Sequence, residues 1–253
     1  ILSYNPNKDI ISGKIFNQNT LKYISSKYHK MLEKIHFKIK NKCGKIFIYH
    51  NFIHMSGTLL IKEILSQNNI IGEFDNSTDD TLCSICGKFR KQHSKEQLNF
   101  IKGGDNTKEE LFILGKQSHF FQPVRFIIIH SNLDKKIINT SLEKFNNTNN
   151  IYGDKFMILI GSKIIKESYS MNSVRNIMIM SRPDNISTLI QIIGRAVRNK
   201  SHILLKKDEQ NVNIEIYTTT LPIKDKTTKT YKLSYEEKKY LSKIETHKRS
   251  EEH

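Results

Sequence analysis

The sequence has no tryptophan and only four prolines and eleven glycines in 253 residues, while isoleucine, asparagine and lysine crowd it. An AT-rich genome produces that bias as readily as function does, so these scarcities exclude little. Two other absences exclude more. Three cysteines, two of them in one CxxC, are too few for a disulfide framework and fit a reducing compartment. No stretch approaches the roughly 20 uninterrupted apolar residues of a membrane span, and the first residues lack the basic-then-apolar order of a signal peptide. Together they predict an intracellular protein with no membrane partner. Carboxylates are also scarce: 25 Asp and Glu stand against 41 Lys and Arg, a formal charge of +16 with a pI near 9.6. Such an excess attracts polyanions, nucleic acid first. Lysine used as an ordinary surface residue explains the same charge, and only a motif can decide between the two.

What is present reads as an α/β fold, because short apolar runs alternate with amphipathic stretches in the manner of a mainly parallel sheet between helices. Strands are predicted at KIFIYH (45–50), VRFIIIH (124–130), KFMILIG (155–161), VRNIMIM (174–180) and VNIEIYT (212–218). Helices are predicted at SGTLLIKEILSQ (56–67), DKKIINTSLEKFN (134–146) and NISTLIQIIGRAVRN (185–199). In the second of these Ile137, Ile138, Leu142 and Phe145 share one face, which should pack on the sheet. Residues 1–40 are expected to be a linker and an amphipathic lead-in helix over 21–39, residues 41–225 the main domain, and 226–253 a charged helical tail. The stretch from about 72 to 120 is too long for an ordinary loop and is expected to be a cysteine-containing insertion with its own fixings.

In NISTLIQIIGRAVRN, Asn185 or Ser187 can cap the helix, and Leu189, Ile192, Ile193 and Val197 supply a buried stripe. Gln191, Arg195 and Arg198 fall on another side at spacings that let them converge on one target. The planar fork of arginine reaches two phosphate oxygens at once and stays charged. Gly194 would then mark a close approach by a backbone or a ligand. A glycine inside a helix costs about 1 kcal/mol relative to alanine, so chance is the weaker explanation.

QIIGRAVR matches the QxxGRxxR pattern of motif VI and so resembles the superfamily 2 helicases. In that family the motif lies in the second RecA-like domain and reaches across a cleft to ATP held by the first. The resemblance makes Arg195 and Arg198 catalytic, with Arg198 the arginine finger, and puts Gln191 and Gly194 at the nucleotide interface. MILIGSKIIKESYSM before VRNIMIM resembles motif V. It implies that the Ser162 hydroxyl bonds a nucleic-acid phosphate. Ser168 stands for the usual Gly, and Ser170 for the usual Asp at the nucleotide ribose, which implies weak coupling between ATP and nucleic acid. KIFIYHNFIHMSG and HSNLDKKIINTSLEKFN resemble motifs IV and IVa, which adds Asn51, His130 and Ser131 to the nucleic-acid contacts, made to phosphates without reading sequence.

The longer pattern, SKYHKMLEKI, GKIFIYHNF, CSICGK, HFFQPVRFIIIHSNLDK, SVRNIMIM and IQIIGRAVR in that order, covers roughly residues 20–220. It is similar to the helicases of nucleocytoplasmic large DNA viruses, of the poxvirus early transcription factor and nucleoside triphosphatase type. That resemblance implies a RecA-like three-layer sandwich and ATP with Mg2+ as cofactors. Its implied partners are DNA or RNA, an N-terminal RecA-like domain in cis and the viral transcription machinery, in the virion or host cytoplasm. A working motor also needs a GxxxxGK[ST] loop and an acidic box. SGKIF (12–16) is not that loop, and Asp79 and Asp80 lack the strand context of that box. The chain is therefore expected to be the second half of a motor, inactive toward ATP alone. The alternative is a non-catalytic helicase-derived subunit that binds DNA and transcription factors. A nuclease or methyltransferase would show a carboxylate cluster or a glycine-rich loop at a strand end, and neither is evident.

TLCSICGKFRKQHS sets Cys83 and Cys86 at zinc-knuckle spacing, with Gly87 for the turn, His93 as a third ligand, and His119 or Cys43 as a fourth. Two free thiols on a loop are the competing reading; the need of a long insertion for an internal staple favours zinc. A thioredoxin-like role is disfavoured, because the CxxC does not open a helix after a strand. His50 and His54, at strand ends, are given no role.

Overall fold

The computed structural model describes residues 2–6, 10–93, 119–166, 169–183, 185–219, 232–235, 237–238 and 241–242. Its first elements are an antiparallel hairpin, β1 (Leu2–Asn5) and β2 (Ile10–Gly13), followed by helices α1 (Gln18–Ile24) and α2 (Ser26–Lys40). Then come β3 (Lys45–Tyr49), α3 (Thr58–Ser66), β4 (Ile71–Gly72), β5 (Arg125–Ile129) and α4 (Lys135–Asn146). The series ends with β6 (Ile158–Gly161), β7 (Val174–Ile179), α5 (Ile186–Gly194) and β8 (Asn213–Ile216). One six-stranded sheet runs β4-β5-β6-β3-β7-β8, and every neighbouring pair is parallel.

All five residues of β3 are buried, as a strand covered on both faces requires. The pleat divides them. Ile46 and Ile48 pack with Ile158, Ile160 and Met178 against α2 and α3, through Leu32, Ile35, Ile61 and Leu65. Phe47 and Tyr49 turn the other way, with Leu159, Ile177 and Ile179, against α4 and α5 through Ile138, Phe145, Leu189 and Ile192. The result is a three-layer α/β sandwich, the architecture that the resemblance implies. Each fully buried side chain of this kind stabilises the fold by roughly 1.5–3 kcal/mol. Asp134 caps α4 by accepting from the Lys136 N–H at 2.7 Å, and of the two candidate caps it is Asn185 that caps α5, accepting from the Thr188 N–H at 2.7 Å.

The five expected strands and three expected helices are all found, with shifted ends. The single helix expected over 21–39 is two. Ser25 interrupts it and caps α2 by accepting from the Tyr28 N–H at 3.4 Å. This stretch is one layer of the sandwich rather than a lead-in beside it, because Met31, Leu32, Ile35 and Ile39 are all buried in the core shared with β3. On α4, Ile138, Leu142 and Phe145 are buried as expected, but Ile137 is exposed. The glycine-rich IKGGDNTKEE and most of the 226–253 tail lie outside the described residues. At the tail's start Ser234 and Glu237 form a reciprocal capping box, Ser234 N–H to Glu237 Oε2 at 2.7 Å and Glu237 N–H to Ser234 Oγ at 3.2 Å.

Two lysines lie inside this sandwich. Lys38 on α2 donates to Asn176 Oδ1 at 2.8 Å and pairs with Glu215 at 2.9 Å, fastening edge strand β8 to α2. Burial works to raise the Glu215 carboxyl, but hydrogen bonds from Tyr217 and Lys38, with the Lys38 charge, leave its pKa low. Lys45, at the start of β3, donates to the carbonyls of Phe145 at 2.6 Å and Asn172 at 3.0 Å and lies over the Phe145 ring. Burial pushes its ammonium down to about 7. Between that value and the unfolded value of about 10.4 the unfolded chain binds more protons, so stability should rise with pH over this window. Denaturant unfolding at several pH values checks this, with a slope of at most about 1.4 kcal/mol per pH unit. The slope should vanish in Lys45→Met; an equal slope in that variant would show that Lys45 stays charged in the fold.

Candidate nucleotide and nucleic-acid interfaces

Helix α5 stops at Gly194, short of the expected 199. Ala196 and Val197 both turn their N–H groups onto the Ile193 carbonyl, so Arg195 and Arg198 stand on the turn after the helix rather than along it. The phase of the stripe changes with it: Ala196 is fully buried, and Val197, expected in the stripe, is exposed. The turn is stitched to the segment before β7. Met171 N–H donates to the Arg195 carbonyl at 2.9 Å and Ser173 N–H to the Ser201 carbonyl at 2.8 Å. Across that seam Arg198 Nη1 donates to Ser170 Oγ at 2.6 Å, and Arg198 Nε to the Gly194 carbonyl at 3.2 Å.

Residues expected at the nucleotide interface are thus brought together at the amino end of β7. Gln191 and Arg198 are both exposed, and a cleft of about 380 Å³ opens beside Arg198, lined by Lys200, His202 and Gln210 among others. Nothing lies within 4 Å of where a Cβ on Gly194 would stand. The neighbouring backbone anticipated there is absent among the described residues, and the space is open. Ile190 and Val197 expose apolar surface on either side of it. Ser168 lies outside the described residues.

The nucleic-acid candidates gather at the other end, around the carboxyl ends of β3, β5 and β6. Asn51 is held between two strands: it accepts from Tyr49 Oη at 2.7 Å, and its amide donates to the Arg182 carbonyl at 2.6 Å. After it the chain folds back tightly on α3. A Cβ on Gly57 would collide with the Phe52 carbonyl, which instead accepts from the Thr58 N–H at 3.0 Å. Ser131 is exposed and His130 half-buried. Burial, with the neighbouring charges of His54 and Lys62, holds the His130 imidazole below its usual pKa, so it is predominantly neutral at pH 7. Ser162 is only 2% exposed, so its hydroxyl is not presented at the surface. Sequence reasoning missed three neighbours here. His54 lies 3.4 Å from the Asn132 amide, Lys62 adds charge, and Arg182 buries an Nη1 with no hydrogen-bond partner among the described residues. An arginine directly before a proline at a strand end was the one available signal for Arg182.

The cysteine insertion does bring its four candidates together. The ligand atoms of Cys83, Cys86, His93 and His119 all lie within 4.8 Å of one another, and the group could hold a metal ion. Cys43, the other candidate for fourth ligand, is outside the group. A short antiparallel bridge, Leu82 to Phe89, folds the CxxC into a hairpin whose tip carries Gly87 at φ 71°.

Residues 77–200 match the family described as helicase conserved C-terminal domain. This chain carries a helicase conserved C-terminal domain of the superfamily 2, large-DNA-virus type. The early transcription factor large subunit homolog of African swine fever virus (strain Badajoz 1971 Vero-adapted) is 39% identical to it over 202 residues, 80% of this chain and 16% of that protein. A protein of Acanthamoeba polyphaga mimivirus named for ATP-dependent RNA helicase activity is 29% identical over 210 residues, 78% of this chain and 17% of its own length. The early transcription factor 70 kDa subunit of Melanoplus sanguinipes entomopoxvirus is 28% identical over 224 residues, 86% of this chain and 28% of that protein. The chain therefore spans less than a third of the length of each of these relatives. Among solved structures, T4 UvsW covers 90% of this chain and 34% of its own at a TM-score of 0.40 and 15% identity. Among the described residues no helix is long and apolar enough to cross a membrane.

The open space over Gly194 has a direct consequence. Its backbone is right-handed helical, so Gly194→Ala should stabilise this chain by about 0.5–1 kcal/mol through the entropy of the unfolded state. Urea unfolding measures it, and a loss of stability would mean that the space is needed within the chain itself.

Proposed function

We propose that this domain is the second RecA-like half of an ATP-dependent helicase or translocase serving viral transcription, in the virion or host cytoplasm. The observation that carries the reading is the Arg198–Ser170 contact. Two residues 28 apart in the chain, from the segments that resemble motifs VI and V, meet on an exposed turn beside the open space over Gly194.

In this reading a first RecA-like domain binds ATP and Mg2+ and closes against the face formed by Ile190, Gln191 and Val197. Arg198 exchanges its hydrogen bond to the neutral Ser170 hydroxyl for the stronger bonds offered by charged phosphate oxygens. Its guanidinium then stabilises charge that develops on the transferred phosphoryl group. Arg195 supports that turn, and Gly194 leaves room for the partner to approach. Nucleic acid lies along the carboxyl ends of the strands, touching Ser131, His130 and the loop that Asn51 fixes. Ser162 joins in only after the neighbouring loops open.

A non-catalytic DNA-binding subunit is the second reading, favoured by Ser170 itself. A serine cannot replace the carboxylate that would reach the nucleotide, and here its hydroxyl is engaged by Arg198. One set of measurements on the full-length protein separates the two. Arg198→Ala should lower nucleic-acid-stimulated ATP hydrolysis about 10³-fold or more while thermal stability and nucleic-acid binding stay near wild type. Gly194→Ala should also slow turnover, despite stabilising the chain. Unchanged turnover in Arg198→Ala would overturn the finger assignment, and a wild-type protein that binds nucleic acid without hydrolysing ATP would establish the second reading.

A further inference from the structure

We infer that Cys83, Cys86, His93 and His119 form a closed, structural Cys2His2 zinc site that clips the insertion to the root of β5. The inference is independent of the proposed motor function.

The ligand atoms, all within 4.8 Å of one another, stand close to the spacing the ion needs. Ligand atoms at about 2.3 Å (sulfur) and about 2.0–2.1 Å (nitrogen) from a tetrahedral zinc stand roughly 3.3–3.8 Å apart. Cys83 Sγ lies 3.4 Å from His119 Nε2, and His93 Nε2 lies 3.1 Å from the same nitrogen. Those two contacts are poorly served without a metal. A neutral ring nitrogen has either one proton or one lone pair in its plane, so His119 Nε2 can satisfy only one of its two neighbours well. Lone pairs from all four groups directed at one point satisfy every contact at once.

Local backbone and burial agree. The Gly87 N–H donates to the Cys83 carbonyl at 2.8 Å and the Cys83 N–H to the Lys88 carbonyl at 2.9 Å, which holds the two sulfurs on the same side of the hairpin. The Lys88 backbone also hydrogen bonds to the Cys86 sulfur. Cys83 is fully buried and His93 nearly so. Two thiolates there would be costly alone, whereas two thiolates with Zn2+ are neutral overall. Four protein ligands leave no open position for water or substrate, which makes the site structural rather than hydrolytic.

The position of the clip says what it does. Cys83 bridges Pro123, the Val124 N–H donates to the Leu82 carbonyl at 2.8 Å, and the Ser84 N–H donates to the Gln122 carbonyl at 2.7 Å, immediately before β5. Gly87 presses on α2, where an added Cβ would meet Lys40 Cα at 3.1 Å. His93 and His119 flank residues 94–118 in the sequence, so the metal joins the two ends of that stretch, on the edge of the sheet away from Arg198.

Metal analysis of protein purified without chelator should find one equivalent of zinc. Cobalt exchange should give the visible bands of a tetrahedral site with two sulfur ligands, and a strong chelator should lower the melting temperature of the wild-type chain. Cys86→Ser and His119→Ala should each lose the metal, while the conservative His93→Cys keeps it. A folded, metal-free protein with a Cys83–Cys86 disulfide or with freely reactive thiols, or a melting temperature indifferent to chelator, would overturn the site. Full retention of zinc by His119→Ala would overturn the four-ligand assignment.

Discussion

Everything in this domain depends on a parallel sheet that is dry on both faces. A parallel strand cannot return by a hairpin, so each connection crosses over through a helix, and the helices cover both sides. β3 shows the consequence: its residues divide alternately between the core under α2 and α3 and the core under α4 and α5. With both faces occupied, chemistry can stand only at the ends of the strands or along the sheet's two edges. The amino end of β7 holds the arginine turn, the carboxyl ends of β3, β5 and β6 hold the nucleic-acid candidates, and the β4–β5 edge holds the metal-ligand group.

Charge follows the same geometry. Most of the excess lysine is solvated, yet Lys38 and Lys45 are carried into the sandwich and matched there, one by Glu215 and Asn176 and the other by two carbonyls. They fasten pieces that hydrophobic packing alone leaves loose: the edge strand β8 and the segment before β7 that carries Ser170. The arginine turn and the metal-ligand group both lie toward the amino ends of the strands, three strand spacings apart across β5, β6, β3 and β7, or roughly 14 Å at about 4.8 Å per strand. Strands β6 and β3 stand between them, so each can be altered without direct contact with the other.

Strongly apolar runs bounded by polar turns were legible at once, since five consecutive buried residues have few structural alternatives. β4 was not, because two residues carry no period, and β1 was not, because all four of its residues are exposed. The lead-in helix was visible by its amphipathicity, but its membership of the core was not, because periodicity marks a buried face without naming what covers it. Ser25 was readable as a cap only in retrospect, since a serine inside a helical pattern often points to solvent. The arginine helix was overextended for a related reason. Apolar spacing persists through Val197, while the backbone leaves the helix three residues earlier.

The sequence by itself determined the fold class, the order of the motif-like segments and the identity of the residues that could serve phosphate or metal. Those depend on local periodicity and on side-chain chemistry, both written along the chain. Only the tertiary structure decided which of them meet. It chose His119 over Cys43 beside the two cysteines, set Ser170 against Arg198, buried Ser162 and left Gly194 facing open space. Contacts between residues tens of positions apart are set by strand order and crossover, and no spacing in a single sequence records them.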